Sequence, residues 1–388
     1  MPKLKADLQL FDKTQKATFL KRVNRFVVQC TLNDEAVGAY LPNPGRLREL
    51  LLPGRMLYLT ENPDTPERKY RYTIIAVERE GIAVLLHTHR SNDVVRWLIE
   101  RGKVPGLEDA EVVKPEVTVG RSRFDFLLAR RGNPFLLEVK SCTLFGKTIA
   151  MFPDAVTERG KRHLIELAEQ SRAGTPAGVI FLVHWPHARW FLPDYHTDID
   201  FARTLYEVRK EITVKALSIG WRNDLTLTPA TKELIIPWHI VGGEAKDSGS
   251  YILLLHLETD STIKVGRLGD IVFQKGWYLY AGSAKRNLKK RLARHMRKRK
   301  NLFWHIDYLR EAADRCIPIP VRSSTPLECP MAKRLGEISD WSVLAFGSSD
   351  CHCNTHLFAM QTHPLENPRF IEMVQYFRID RIETLLST

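Results

Sequence analysis

Five short stretches between residues 25 and 89, RFVVQCTLN, AVGAYL, RMLYLTEN, YRYTIIAVE and IAVLLHTH, alternate apolar with polar residues and are parted by Pro and Gly. A period of two repeated at this spacing admits β-strands and little else, and short strands closed by turns suit a small OB-like β-barrel over residues 1–88. From residue 89 the period changes. The helical DVVRWLIERG precedes two strands, the helix of RHLIELAEQ, the strand GVIFLVHW and the helical FARTLYEVRKEI, an α/β domain around a central sheet over 89–240. Residues 241–249, VGGEAKDSG, are small and glycine-rich and read as a linker. Strands YILLLHL, IKVG and WYLYAG then lead into the helical KRNLKKRLARHMRKRK and LFWHIDYLREAA, a second α/β unit over 250–362 closed by a C-terminal helix over 363–388. The expected fold class is mixed α/β in three parts.

At 388 residues and 44% hydrophobic, the chain has material for two or three cores. No apolar run nears the about 18 residues that span a bilayer, and the charged N-terminus MPKLKADLQLFD lacks a secretory apolar stretch. Six cysteines are too few for a disulfide framework at this size, so a cytoplasmic location is expected. Lys and Arg exceed Asp and Glu by 58 to 45, a formal charge of +13. That surplus favours polyanionic partners, nucleic acid before membrane, since no basic segment carries the wide Trp/Phe/Leu face of an interfacial helix.

The segment RSRFDFLLARRGNPFLLEVKS reads as a hairpin turning at Arg131-Gly132, with Gly supplying positive φ. Such a turn sets residue 130 opposite 133, and hence Asp125 opposite Glu138 with Cβ atoms about 5 Å apart. Lys140, two residues on, shares their face, while Phe124, Phe126, Leu137 and Val139 turn to the other as core. Two carboxylates suit a hard divalent cation and an ammonium suits charge building on a phosphate, the set that phosphodiester hydrolysis needs. An ordinary cross-strand ion pair is the alternative reading of the same residues.

The pattern D-x12-E-x-K resembles the PD-(D/E)XK nuclease signature, and PNPGRLRELLLPG, SRFDFLL, LLEVKSCTL and FPDAVTERGKRHLIEL resemble, in order, the sugar fermentation stimulation protein A family over roughly residues 10–238. The resemblance implies an OB-like domain, a PD-(D/E)XK nuclease-like domain and DNA binding, with Asp125, Glu138 and Lys140 as catalytic positions and Mg2+ (or Mn2+) held by Asp125 and Glu138. Glu116 is either a further acid or a strand-edge ion pair. Asp154 or Thr157 is placed to cap the helix that buries Leu164, Leu167 and Ala168. Arg159 and His163, four apart, suit a phosphate, and Arg46, in a turn with Asn43 and Gly45, either reaches substrate or is structural.

In the last third, Gly249-Ser250-Tyr251 opens one strand and Tyr280-Ala281-Gly282 ends another; the following helix carries Arg291 and His295, with Leu288, Leu292 and Met296 as its buried stripe. This order, with RLARH, FWHIDYL, LEC and FGSSDC, resembles the GIY-YIG nuclease module of the endonuclease III-associated type over about residues 246–362. The resemblance implies that Tyr251 and Tyr280 shape a site, one taking a proton from water, that Arg291 neutralises phosphate and that Glu328 holds a metal. Amphipathic packing at strand ends is the alternative for the tyrosines.

Ten Lys/Arg and no acid stand between 285 and 300; Lys289, Lys290, Arg294, His295, Arg297 and Lys298 are expected to meet nucleic acid, DNA before RNA. Cys351, Cys353 and His356 in DCHCNTH have zinc-ligand chemistry; C-x-C is short spacing, a fourth ligand such as Cys329 is required, and ordinary packing is the alternative. Two functions result: a divalent-metal-dependent nuclease, or a DNA-binding regulator that uses nuclease folds without cutting.

Overall fold

The structure is a computed structural model that describes residues 7–63, 65, 69–228 and 230–386; the extreme ends of the expected barrel and closing helix lie outside them. It divides into two compact units, one running to Val241 and one over Gly242–Leu385. Among the described residues no helix is long and apolar enough to cross a membrane.

The first unit opens with β1 (Gln15–Asn24), β2 (Val27–Leu32), β3 (Glu35–Tyr40), β4 (Met56–Glu61), β5 (Tyr72–Arg79) and β6 (Ile82–Leu85), in the sheet order β3-β2-β1-β4-β5-β6. A parallel pairing of β3 with β5 closes the sheet into an OB-like barrel. Strand β1 was not among the five stretches read from sequence. It buries only Ala17 and Phe19, and its cations and exposed Leu20 and Val23 blur the alternation.

Helix α1 (Ser91–Ile99) leads to the long strands β7 (Ala110–Val119), β8 (Ser122–Arg130) and β9 (Asn133–Cys142). After them come β10 (Leu144–Phe145), β11 (Ile149–Phe152), α2 (Glu158–Arg172), β12 (Ala177–Val183), β13 (Trp190–Pro193), α3 (Ile199–Val208), β14 (Thr213–Ser218) and β15 (Lys232–Glu233). The main sheet runs β15-β14-β12-β9-β8-β7, with β9, β12 and β14 parallel, as a crossover through α2 and α3 requires. A smaller sheet, β10-β11-β13, lies beside it. One hydrophobic cluster contains Leu57 and Val84 of the barrel together with Phe124, Leu164 and Phe181 of the α/β layer, so both architectures pack as one unit.

Residues 241–249, expected as a linker, contain the boundary between the two units and carry regular structure. Helix α4 (Trp238–Glu244) occupies their first half and β16 (Gly249–Leu257) already starts at Gly249. Burial overrides the weak helix propensity of two glycines: the Glu244 carboxylate is buried and accepts from the Ser324 backbone N–H at 3.3 Å, from the Ser324 hydroxyl and from Arg381.

The second unit continues with β17 (Ser261–Lys264), β18 (Asp270–Phe273), β19 (Gly276–Ala284), α5 (Leu288–Met296), α6 (His305–Ala312), β20 (Arg315–Arg322), α7 (Glu328–Ile338), β21 (Trp341–Val343), β22 (Leu357–Met360), α8 (Pro368–Arg378) and α9 (Glu383–Leu386). Its antiparallel sheet has the order β20-β16-β19-β22-β21. The two prolines of β20 are tolerated because that strand is an edge. The C-terminal segment is not one helix: α8, capped by Asn367, stops at Arg378 and a short turn separates it from α9.

Candidate functional site

Arg131 and Gly132 both take positive φ, 49° and 79°, which is the type I′ geometry that fixes a two-residue hairpin. Residue 130 therefore pairs with 133 and 126 with 137, the register expected. At the next step the ladder is interrupted. The Asp125 carboxylate accepts the Val139 N–H at 2.7 Å and the Asn92 amide at 2.8 Å, and the pairing of β8 with β9 does not continue past Phe126 and Leu137. The break overturns one expectation. Phe124 does not share a face with Phe126, Leu137 and Val139; it joins the cluster of Leu136 and Leu164 and stands edge-on to His163 at 5.7 Å, whereas the other three pack in a separate cluster.

Asp125, Glu138 and Lys140 line one cleft of about 780 Å3, together with Asn92, Glu116, Asp154 and Arg159. Glu138 is 4% exposed; its Oε1 accepts from Lys140 and, at 2.6 Å, from His163 Nδ1, while Oε2 has no hydrogen-bond partner. Burial pushes the Glu138 carboxyl up, but His163 and Lys140 outweigh it and hold it below its ordinary value. Burial, then the Glu138 charge, raise Asp125 to about 6. Glu116 sits on the rim, loosely paired with Arg123 at 3.6 Å.

His163 is not a phosphate ligand. It is 2% exposed, and Arg159 Nε donates to its Nε2 at 3.3 Å, leaving Nδ1–H to donate to Glu138. Its place among Gly160, Leu164 and Leu167 in the buried stripe of α2 is a sequence signal for an inward histidine. Thr157, not Asp154, caps α2, accepting the Gly160 N–H at 3.0 Å. Asp154 instead accepts the Leu47 N–H at 3.1 Å and, with Asn43, fixes the 42–46 turn; a Cβ at Gly45 would lie 2.5 Å from its oxygen. Exposed Arg46 projects from that turn.

Burial keeps Asp125 protonated to a higher pH in the native state than in the unfolded chain. The native state keeps a proton that the unfolded chain has lost between 3.8 and about 6, so this group's contribution to stability falls as pH rises through that window. A bound cation needs the anion and reverses the penalty. Thermal stabilisation by Mg2+ or Mn2+ is expected to be small near pH ~5 and to level off above about 7; a shift independent of pH over that range removes Asp125 from the ligand set.

In the second unit Tyr251, Tyr280, Arg291 and Glu328 also converge. Ser283 joins two of them: its carbonyl accepts from Arg291 at 3.1 Å and its hydroxyl donates to Glu328. The charges of Arg291 and Glu328 reach both tyrosine hydroxyls, and burial raises both phenols above their ordinary value. Tyr251 OH lies 2.9 Å from His295 Nε2. Burial and the cations Lys300 and Arg294 lower His295, so its ring is neutral and can accept a hydrogen bond from the Tyr251 hydroxyl. Burial pushes Glu328 up, but His356 at 3.2 Å, Ser283 and Arg291 bring it below its ordinary value. Ser250 is structural, its hydroxyl accepting the Leu327 N–H at 3.2 Å and so placing the start of α7.

Three expectations for α5 change. Met296 is 49% exposed and His295, at 1%, takes its place in the stripe with Leu288 and Leu292. Arg294 does not face a ligand: it is tied to Asp307 by two bonds of 3.0 and 2.9 Å and stacks on Trp304. The run of ten cations holds no acid itself, but Asp307 of α6 pairs with its Arg294 and Lys300, each at 2.9 Å. Lys289, Lys290, Arg297 and Lys298 are exposed. Gly282 is held to its size: a Cβ would lie 2.5 Å from Tyr251 Cζ. Gly282→Ala is expected to displace that buried ring and lower stability by about 1–3 kcal/mol, read by thermal melting, and an unchanged melt counts against this packing.

An OB-like barrel closed onto an α/β layer with a cleft lined by Asp125, Glu138 and Lys140, followed by a second α/β unit, is the class the fold defines. Residues 20–86 match the SfsA N-terminal OB domain, residues 89–224 the sugar fermentation stimulation protein RE domain, and residues 250–378 a domain of unknown function, DUF123. Sugar fermentation stimulation protein homologs of Methanosphaera stadtmanae and Methanothermobacter thermautotrophicus are 39% identical over 203 residues (51% of this chain, 84% of that one) and 37% over 196 residues (50% and 81%). The structure of Pyrococcus furiosus SfsA in complex with Ca2+ aligns with a TM-score of 0.54 at 29% identity, covering 59% of this chain and 99% of that one. The chain belongs to the sugar fermentation stimulation protein family.

Proposed function

We propose that the protein binds DNA in preference to RNA, in the cytoplasm, and hydrolyses phosphodiester bonds with a divalent cation, Mg2+ or Mn2+, at a PD-(D/E)XK-type site in the first unit and a GIY-YIG-type site in the second. One observation carries the reading: Glu138 Oε2, buried and without a partner, lies in the same cleft as Asp125 and Lys140. A buried orphan carboxylate oxygen beside a second carboxylate fits a hard cation, and the Ca2+ complex of P. furiosus SfsA is in keeping with oxygen ligation. When bound, the cation polarises the phosphoryl oxygen and acidifies water.

The protein's own groups do the rest. Asp125 and Glu138 would hold the cation, His163 and Asn92 orient the two carboxylates, Lys140 offsets charge on the phosphate, and Arg159 at the cleft meets the strand. In the second unit Glu328 keeps spare lone pairs for a cation, Arg291 meets the phosphate, and His295 holds the Tyr251 hydroxyl in place by a hydrogen bond. Exposed Lys289, Lys290, Arg297 and Lys298 offer charge, and Phe303, 78% exposed, offers a stacking face, to the nucleic acid.

Labelled single-stranded, duplex and branched DNA, and RNA, incubated with Mg2+ or Mn2+, test the reading. Wild type is expected to cut, Glu138→Ala and Glu328→Ala each to lose one activity, and the double variant to lose both. Cutting unchanged in the double variant sinks both site assignments. The second reading, binding without cutting, is favoured by the relatives' name, which describes an effect on sugar fermentation rather than hydrolysis; tight binding with no wild-type cleavage would select it.

A further inference from the structure

Cys329, in the first turn of α7, meets Cys351, Cys353 and His356 from the segment between β21 and β22. One ligand atom from each lies within 4.8 Å of the other three, and the six cysteines of the chain are free thiols. We infer that these four residues form a structural zinc site, and that the zinc-held His356 positions Glu328. Three thiolates and one imidazole, closed on themselves, are the donor set of a tetrahedral structural zinc.

The histidine shows the arrangement most clearly. Its ring is buried, with Nε2 3.4 Å from Cys351 Sγ and Nδ1 3.2 Å from Glu328 Oε1. A zinc-bound imidazole coordinates through one nitrogen and gives the other N–H to a carboxylate, which fixes its tautomer and orientation. The His356 backbone is pinned on both sides, its N–H donating to Phe346 at 2.9 Å and its carbonyl accepting from Ala281 at 2.9 Å, so the ring cannot drift with the loop. The segment itself needs a fastening. Between β21 and β22 it has no regular structure, Leu344 is 71% exposed, and Phe346 and Thr355 are its buried anchors. A metal joining two cysteines of this loop to the start of α7 supplies the missing cross-link, and the short C-x-C spacing is workable because the other two ligands come from Cys329 and His356. The zinc assignment stands without any nuclease reading; only the consequence for Glu328 rests on that reading.

The full chain, purified untagged and without chelator from zinc-supplemented medium, is expected to hold one zinc by elemental analysis. Replacing that zinc by Co2+ should give the thiolate-to-cobalt charge-transfer band and tetrahedral ligand-field bands, which oxygen-ligated metal in the carboxylate clefts does not give. Cys353→Ser is expected to lose the zinc and Cys316→Ser to keep it. Wild type without zinc and without the cobalt band overturns the site, as does zinc retained undiminished in Cys353→Ser. His356→Cys separates the two claims, since four sulfurs still bind zinc but the link to Glu328 is gone. In a Glu138→Ala background, its Mn2+ affinity at the remaining site, followed by electron paramagnetic resonance, should fall about 10–100-fold with zinc retained; an unchanged affinity overturns the positioning role. A chain with normal zinc and no cleavage of any substrate leaves the zinc site standing and removes the nuclease reading.

Discussion

Glu138→Gln is expected to lower metal-dependent cleavage by the first unit on the order of 10^3-fold, because several kcal/mol of transition-state stabilisation leave with one ligand charge. The substitution is close to isosteric. A glutamine oxygen can still accept from His163 Nδ1 at the 2.6 Å position, so the fold at the junction of β9 and α2 survives, and circular dichroism and the melting temperature should barely move. Lys140 loses its ion-pair partner, though at 15% side-chain exposure it can still reach water. His163→Ala is the companion variant. It leaves both carboxylates in place but frees Glu138 to rotate, and a loss of about 10–100-fold in metal affinity is expected for removing such an orienting group. Glu138→Gln without effect, measured in a Glu328→Ala background so that the second site is silent, would show that the cleft does no chemistry.

The register was legible because a two-residue turn sets it arithmetically: once Arg131 and Gly132 take positive φ, residue 130 pairs with 133 and 126 with 137, which brings Asp125 and Glu138 to one cleft although the ladder stops short of pairing them. The side of the sheet taken by Phe124 was not legible, since strict alternation assumes an unbroken ladder, and the β8–β9 ladder ends at Phe126, beyond which the Asp125 side chain takes the Val139 N–H. The two histidines taught a different lesson. Spacing of four from Arg159 and Arg291 correctly placed His163 and His295 one turn away on their helices, but it is silent on whether that side meets water. Both lie in the apolar stripe, beside Leu164 and Leu167 in α2 and beside Leu288 and Leu292 in α5, and both turn inward to a side chain of a candidate site, Glu138 in one unit and Tyr251 in the other. A polar residue in an apolar stripe signals a buried partner that is distant in sequence. The Cys329 ligand was nameable only as a candidate for the same reason: its partners stand more than twenty residues away, and only folding brings them together.

The ten-cation run divides along the same line, and the second large effect follows from it. Asp307→Ala is expected to cost about 3–5 kcal/mol, because it strands Arg294 and Lys300, 25% and 5% exposed, without their counter-charge. The carboxylate has no exposure at all and also accepts the Phe303 and Trp304 N–H groups at 3.0 and 3.1 Å, fastening the entry to α6. Burial pushes it up, but His295, Arg294, Lys300 and the Trp304 N–H together hold it far below the ordinary carboxylate range. Its stabilising contribution is therefore fully present above the unfolded value of 3.8 and is lost only as pH falls through the much lower folded one, so mild acid should not weaken it. At about 2–4 °C per kcal/mol for a unit of this size, the melting temperature of Asp307→Ala should drop by roughly 10 °C, with the packing of His295 under Tyr251 disturbed as well. Arg297→Ala and Lys298→Ala should behave in the opposite way: exposed, they should leave the melt within about 0.5 kcal/mol and reduce the salt dependence of duplex binding by roughly 0.9 per lost phosphate contact. If Arg294→Ala instead behaved like Lys298→Ala, with binding weakened and stability intact, Asp307 would not be the anchor of this helix pair and the whole run would face the nucleic acid.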